Sequence, residues 1–474
     1  MSEKTESISK GDGTVTSQPG GRQNESLAKQ LGRKEARVVS KLDWNLMTLF
    51  FVLYMLAFLD RGNIGNARIA GLQEDFHLDG DRYQWLINIP YIAYVISEFG
   101  ILLWKIFPPH IVGATVVFGW FLLGVFEACY GPGIIYLLSF FYLRHEIGFR
   151  CGIFASAAPL ASTFAGALAY GITSGHSHLA SWRLLFLVEG LPTVLLAIAA
   201  FYFIPDSPEK ARFLDAEEKG IVKSRAIRQV GMGAANARIG AFRLKDIGAV
   251  LIDIKAWLCA FMYFSGNVCY SILPVFLPTI LNDMGYTSIN AQGLSAPPSF
   301  TAFLCALITT WVADKTQQRC FVLFVTSAVG GTGYIILATV ETAGVRYFAT
   351  FLASAGVFST IPNILALALN NQGSDTRRGT SLVLINSIGQ TGPFLGTNIF
   401  PTRQSPRYIE GMSICAAFMF FSALLALIQR YLLVWENAKL DRKYGTSVTK
   451  GRSDFLAPED IALENYGSQY RFIL

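Results

Sequence analysis

Charge is scarce in this chain. Asp, Glu, Lys and Arg make up 15% of its 474 residues, against about a quarter in an ordinary soluble domain, which excludes a conventional water-soluble globule. Histidine is rarer still, with five, and the seven cysteines include no Cys-x-x-Cys spacing. That leaves neither a disulfide framework nor a metal site in the pattern, and the cysteines read as small buried hydrophobes. No Ser/His/Asp constellation and no phosphate loop stands out, so neither an enzyme nor a bound cofactor is expected. The net charge of +6 comes without a basic patch interleaved with aromatics, which argues against a nucleic-acid partner. Residues 1–43 are polar and lack the apolar core of a signal peptide. They are expected to be a disordered tail, with the first apolar run serving as the insertion signal.

What the chain does have is apolar runs of membrane length. Apolar residues reach 52% and the mean hydropathy is +0.40. Spans are expected at 44–66, 83–105, 148–173, 183–204, 254–281, 294–313, 321–340, 345–369, 379–401 and 409–434, with a further run at 111–143. The tails, the 205–253 loop, the Asp314-Lys315…Arg319 loop and the Arg377-Arg378 loop are basic, while the 174–182 and 282–293 loops hold no Lys or Arg. The positive-inside bias places both tails and the 205–253 loop in the cytoplasm, with Arg403 and Arg407 as one tolerated exception outside. An even number of spans must then separate the first tail from that loop. The 33-residue run at 111–143 is too long for one span and too short for two. Two spans with material missing is the reading that fits. The chain divides into a 1–43 tail, a 44–204 bundle, a 205–253 linker, a 254–435 bundle and a 436–474 tail. Two six-span halves of this kind suggest a transporter with repeats around a midplane site.

One stretch organises the rest: Leu56-Ala-Phe-Leu-Asp60-Arg61-Gly-Asn63-Ile-Gly-Asn66-Ala67, which closes the first run. It carries an acid, a base and two amides into or near hydrocarbon, where a charge costs several kcal/mol. Glu127 is a second acid, alone in the 111–143 run. Taken by themselves, these residues leave two readings open. Asp60-Arg61 is either a snorkelling interfacial pair or a functional one, and Glu127 is either a structural protonated carboxyl or a proton carrier. Arginine suits a carboxylate because its planar fork offers two parallel hydrogen bonds.

The residues resemble the major facilitator superfamily, and more closely its anion:cation symporter branch and the fungal allantoate/nicotinate permease group. The resemblance rests on Leu59-Asp60-Arg61-Gly-Asn63-Ile64-Gly65-Asn66-Ala67, Gly124-Val-Phe-Glu127-Ala128-Cys-Tyr-Gly-Pro132-Gly133 and Trp182-Arg183…Glu189-Gly190-Leu-Pro192. Glu436-Asn437-Ala-Lys439-Leu-Asp441…Tyr444-Gly445 and Tyr470-Arg471-Phe-Ile-Leu474 add to it. It implies an all-α major facilitator fold of two six-helix bundles, acting as a monomer in the fungal plasma membrane. The implied activity is proton-coupled uptake of a small organic anion such as nicotinate, allantoate or pantothenate. The implied roles are substrate contact for Arg61 and proton coupling for Asp60 and Glu127. Departures are visible too. Leu103-Trp104-Lys105-Ile-Phe-Pro108-Pro109-His110 replaces the usual Gly-x-x-x-Asp-Arg loop, and only Ala313-Asp314-Lys315…Arg319 keeps a trace of a structural or gating motif. Trp120 runs straight into Phe121-Leu122-Leu123-Gly124, at the junction where roughly twenty residues are short. A non-transporting nutrient sensor or an inactive truncated isoform is the rival reading.

Among other polar residues in the runs, Asn63, Asn267 and Tyr270 are the added candidates for substrate contact. Asn267 and Tyr270 precede Pro274 and Pro278, where a broken span would bare backbone groups to a cavity. Tyr83, Tyr91, Tyr94, Asn363, Asn370, Asn386, Gln390 and Asn398 are as readily helix-joining groups as ligands. Glu98 and Glu189 are expected to be structural, and His176 and His178 to be solvated loop residues.

Overall fold

The computed structural model of the chain describes residues 19–72, 75, 123–143, 146–174, 179–205, 210–230, 244–372, 375–401, 404–405, 407–444 and 471–474. The expected span at 83–105, the join Trp120-Phe121, and Tyr83, Tyr91, Tyr94, Glu98, His176 and His178 fall outside them.

The described residues form an all-helical membrane protein. In the first half, α1 (Pro19–Leu42) runs through a π turn into α2 (Thr48–Ala67). It is followed by α3 (Leu123–Phe141), α4 (Ile147–Ser174) and α5 (Ser181–Phe203). Between the halves lie α6 (Ala216–Val230) and α7 (Leu244–Ile252). The second half comprises α8 (Ile254–Tyr270), α9 (Ile272–Asp283), α10 (Ser288–Leu294) and α11 (Ala296–Thr316). It continues with α12 (Arg319–Thr339), α13 (Ala343–Asn370), α14 (Asp375–Gly389), α15 (Thr391–Asn398) and α16 (Ile409–Tyr444). Eight stretches among the described residues are long and apolar enough to cross a membrane. The described part of the 111–143 run is α3, a single helix of 19 residues, about 28 Å long and so close to the thickness of the hydrocarbon core.

Residues 19–42 differ from the expected disorder: they are helical. Val38 and Leu42 are buried, and Lys34 and Lys41 pair with Glu217 and Glu218 of α6. The Lys41 hydrogen bond holds the Glu218 carboxyl below the ordinary carboxylate range. Arg225 of α6 also reaches Glu146, and Arg150 takes Asp43 through two hydrogen bonds of 2.8 Å. These contacts mark one end of the molecule, here called the linker face. Similarly, α16 continues past the expected end of its span as far as Tyr444.

The two halves meet along α4 and α11, which run antiparallel. Glycines let the two approach: a Cβ on Gly152 of α4 would run into the Thr310 side chain of α11, and one on Gly166 would lie 3.5 Å from the Ala296 backbone nitrogen. In a bilayer, where lipid is as apolar as leucine, such close van der Waals packing replaces the hydrophobic effect as the source of helix association.

Candidate functional site

Two prolines explain where the site forms. Proline has no N–H, so it cannot donate to the carbonyl four residues back. Pro274 cancels the bond to Tyr270, and the helix breaks at Ser271, between α8 and α9. Pro393 cancels the bond to Gly389, and the helix breaks at Gln390, between α14 and α15. The freed Gly389 carbonyl accepts a hydrogen bond of 3.2 Å from the Asn267 side-chain amide. Asn267 therefore satisfies one break from beside the other.

A cavity of about 60 Å³ lies at these breaks, between the halves. Tyr54 and Phe58 of α2, Pro132 and Ile135 of α3, and Phe154 and Ala155 of α4 line one side. Tyr263, Asn267, Tyr270, Ile361, Leu365, Gln390 and Pro393 line the other. Five aromatic side chains contribute to its walls: Tyr54, Phe58, Phe154, Tyr263 and Tyr270. Tyr54 stacks on Phe154 with centroids 4.3 Å apart, and Tyr270 sits edge-on between Phe58 at 5.6 Å and Phe358 at 4.9 Å. An apolar pocket with few polar groups is the usual form of a small-molecule site.

The halves also touch at both ends of the cavity. Away from the linker face, a Cβ on Gly65 would lie 2.6 Å from the Val275 carbonyl oxygen, so α2 and α9 are in backbone contact there. At the linker face, Asp314 of α11 accepts a 2.6 Å hydrogen bond from the Phe149 N–H, in the first turn of α4. That N–H has no partner within its own helix, and the positive end of the helix dipole favours the carboxylate. Asp314 also pairs with Arg319, whose side chain is 1% exposed. Gly148 is required by this approach, because any Cβ there would run into both charged groups. Lys315 is exposed beside the pair.

Of the residues expected from sequence, Asn267 and Tyr270 line the cavity. Asn63 does not. It is wholly buried on α2, and neither amide atom has a hydrogen-bond partner among the described residues. Asn66 borders a smaller hollow of about 10 Å³ with Ser162, Ser295 and Ser299. Positions 60 and 61 lie on α2 and position 127 on α3, with their side chains outside the described residues. Asp314 and Arg319 come together, and Glu189 is buried on α5. Sequence reasoning passed over Tyr54, Phe58, Phe154 and Tyr263 as cavity residues, since aromatics in an apolar span carry no sign of the side they face.

The sequence profile of the Major Facilitator Superfamily matches residues 99–397. The chain belongs to this superfamily. Among relatives in the major facilitator superfamily, it is 30% identical to the high-affinity nicotinic acid transporter of Saccharomyces cerevisiae, over 85% of this chain and 79% of that one. It is 28% identical to the MFS transporter prlL of Fungal sp. (strain NRRL 50135), over 91% of this chain and 94% of that one. The alignment with the nicotinic acid transporter runs over 430 positions, more than the 85% of this chain that it uses, so that relative carries residues with no counterpart here. Two solved major facilitator structures share the fold. The proton:xylose symporter XylE superposes with a TM-score of 0.56 at 12% identity, over 82% of this chain and 95% of that one. The E. coli fucose:proton symporter FucP does so with a TM-score of 0.54 at 15% identity, over 81% and 98%. The chain is thus an integral, multi-pass transporter of the major facilitator superfamily and not an enzyme.

Proposed function

We propose that this transporter carries a small carboxylate, with protons, into a fungal cell across the plasma membrane. The observation that carries the proposal is the cavity between the halves, with five aromatic side chains in its wall, together with the register of Arg61. Tyr54, Phe58 and Arg61 are spaced i, i+4 and i+7 on α2, which puts the three positions on one face of the helix. Arg61 is about one turn further from the linker face than Phe58. On α3, which runs the opposite way, Glu127 is one turn before the cavity residue Gly131, in the same direction. The positions to which this reading gives anion binding and proton transfer thus lie about one turn beyond cavity residues of their own helices. An aromatic cavity suits a flat ring, and an arginine fork suits a carboxylate. The relative that transports nicotinic acid supports that substrate class.

Asp60 and Glu127 carry protons in this account, and the linker face is cytoplasmic. Transport proceeds by alternating access: the seat of the Asp314–Arg319 pair on the first turn of α4 closes the cytoplasmic side, and the α2–α9 contact closes the other. The test is uptake of labelled nicotinate, allantoate and pantothenate by cells lacking their own permeases, at two pH values. Saturable uptake that rises in acid supports the proposal, and absence of uptake by chain that reaches the membrane refutes it. The short 111–143 run favours a second reading, an inactive truncated isoform or a sensor that binds without transporting. Substrate binding without flux selects that reading.

A further inference from the structure

The last four residues of the chain, Arg471–Leu474, lie against the linker face of the second half. Two asparagines hold their backbone. Asn437 of α16 accepts from the Phe472 N–H at 2.8 Å and donates to the Phe472 carbonyl at 2.9 Å. Asn371, just past α13, accepts from the Ile473 N–H at 2.9 Å and donates to the Ile473 carbonyl at 3.0 Å. In an extended chain the N–H and C=O of one residue point to the same edge, and those of the next residue to the opposite edge. Each side-chain amide carries one acceptor and a donor pair, so it matches one residue's backbone pair. The two asparagines therefore read the segment from both edges, as neighbouring strands would.

Side chains add selectivity. Phe472 is buried, 4% exposed, in the main hydrophobic core, with the Lys255 ammonium 5.0 Å from its ring centre. Arg471 donates to Asp441 at 2.7 Å. Leu474 packs against the same core. The groups that hold the segment come from the linker-face ends of α8, α13 and α16. Two of these helices, α8 and α13, line the transport cavity further along, through Tyr263 and Asn267 and through Ile361 and Leu365.

We propose that Asn371, Asn437, Asp441 and Lys255 form a peptide-recognition site for an Arg-Phe-aliphatic-Leu segment, filled in cis by residues 471–474. Backbone pairing gives affinity, and the phenylalanine pocket and the Asp441 pair give specificity, which is the logic of strand addition to a sheet edge. Filling the site ties together the ends of α8, α13 and α16. The site stands apart from the carboxylate proposal and survives its failure.

The test is binding in trans. Chain ending at Tyr470, in lipid nanodiscs, is titrated with a fluorescein-labelled heptapeptide of residues 468–474, followed by anisotropy. Saturable binding is expected. Asn437→Ala in the shortened chain removes two hydrogen bonds and weakens binding on the order of tenfold. Alanine in place of the peptide's phenylalanine has an effect of at least that order. The full-length chain binds the peptide roughly tenfold or more weakly, because its tethered segment competes at high effective concentration. Equal binding by full-length and shortened chains overturns the proposal. So does indifference to Asn437→Ala, or no saturable binding by shortened chain that keeps the full-length thermal unfolding profile. If the shortened chain does not fold, full-length Phe472→Ala replaces it. That variant is expected to bind the peptide more tightly than wild type, and equal affinity refutes the site.

Discussion

Replacing Asp314 by asparagine should open the linker face. The substitution keeps the size of the side chain and an oxygen for the Phe149 N–H, but removes the charge opposite Arg319. Breaking a buried ion pair from one side costs about 3–5 kcal/mol, because the remaining charge stays desolvated. Asp314 keeps 16% of its side chain exposed, so the lower end, about 3 kcal/mol, applies. Both groups belong to the second half, so the loss shifts the closed-to-open equilibrium only as far as opening rehydrates Arg319; at about 1.4 kcal/mol per factor of ten that is at most roughly a hundredfold. The chain contains its own reporter. Cys151 lies one turn inside α4 and has no exposed surface while the contact is made. When opening is rare and fast, the rate of Cys151 alkylation follows the open fraction. Maleimide labelling, read at Cys151 by peptide mass spectrometry, should therefore accelerate by about tenfold to a hundredfold in Asp314→Asn. Cys259 and Cys415, buried in the core of the second half, should stay protected, which separates gate opening from unfolding. An unchanged Cys151 rate would refute this role for Asp314. Joint acceleration at all three cysteines would show that the pair supports the fold and not the gate.

Other outcomes follow from the proposed site and the short run. Arg61→Lys should raise the apparent KM for the transported carboxylate at least about tenfold without loss of membrane insertion, since lysine lacks the bidentate fork; near-normal affinity in uptake assays removes Arg61 from the site. Glu127→Gln should spare counterflow but abolish uptake driven by a proton gradient, because glutamine keeps the hydrogen bonding and cannot carry the proton; an equal fall in both makes Glu127 structural or substrate-binding. Sequencing the transcript across codons 115–125 should reveal coding sequence for roughly twenty residues between Trp120 and Phe121, the length a span requires; a direct join in every transcript, with a product that transports normally, contradicts this.

Eight of the expected spans were legible in the sequence, because length and hydropathy decide what crosses a bilayer. The α8–α9 break was legible as well, since Pro274 removes a backbone donor wherever it falls in a helix. The cavity wall was not. Over the stretches around Tyr54 of α2 and Phe154 of α4 apolar residues fall on every side, so lipid-facing and cavity-facing residues do not differ in polarity, and neither aromatic carries a mark of its position. Asn267 stood out as an amide in an apolar span, but its partner, the Gly389 carbonyl freed by Pro393, lies 122 residues away in sequence. The helix at 19–42 was not legible because its contacts lie far off in sequence: Val38 and Leu42 pack in the core, and Lys34 and Lys41 meet α6. The same holds for residues 471–474, whose partners lie on α13 and α16.

Uptake tests the central claim most directly. Cells without their own carboxylate permeases, expressing the product of the native transcript, are given labelled nicotinate, allantoate or pantothenate at acidic and at neutral external pH. The account predicts saturable accumulation of at least one of these acids, faster in acid and abolished by a protonophore. Protein present in the plasma membrane with no accumulation of any of the three, or with accumulation indifferent to pH and protonophore, would contradict it.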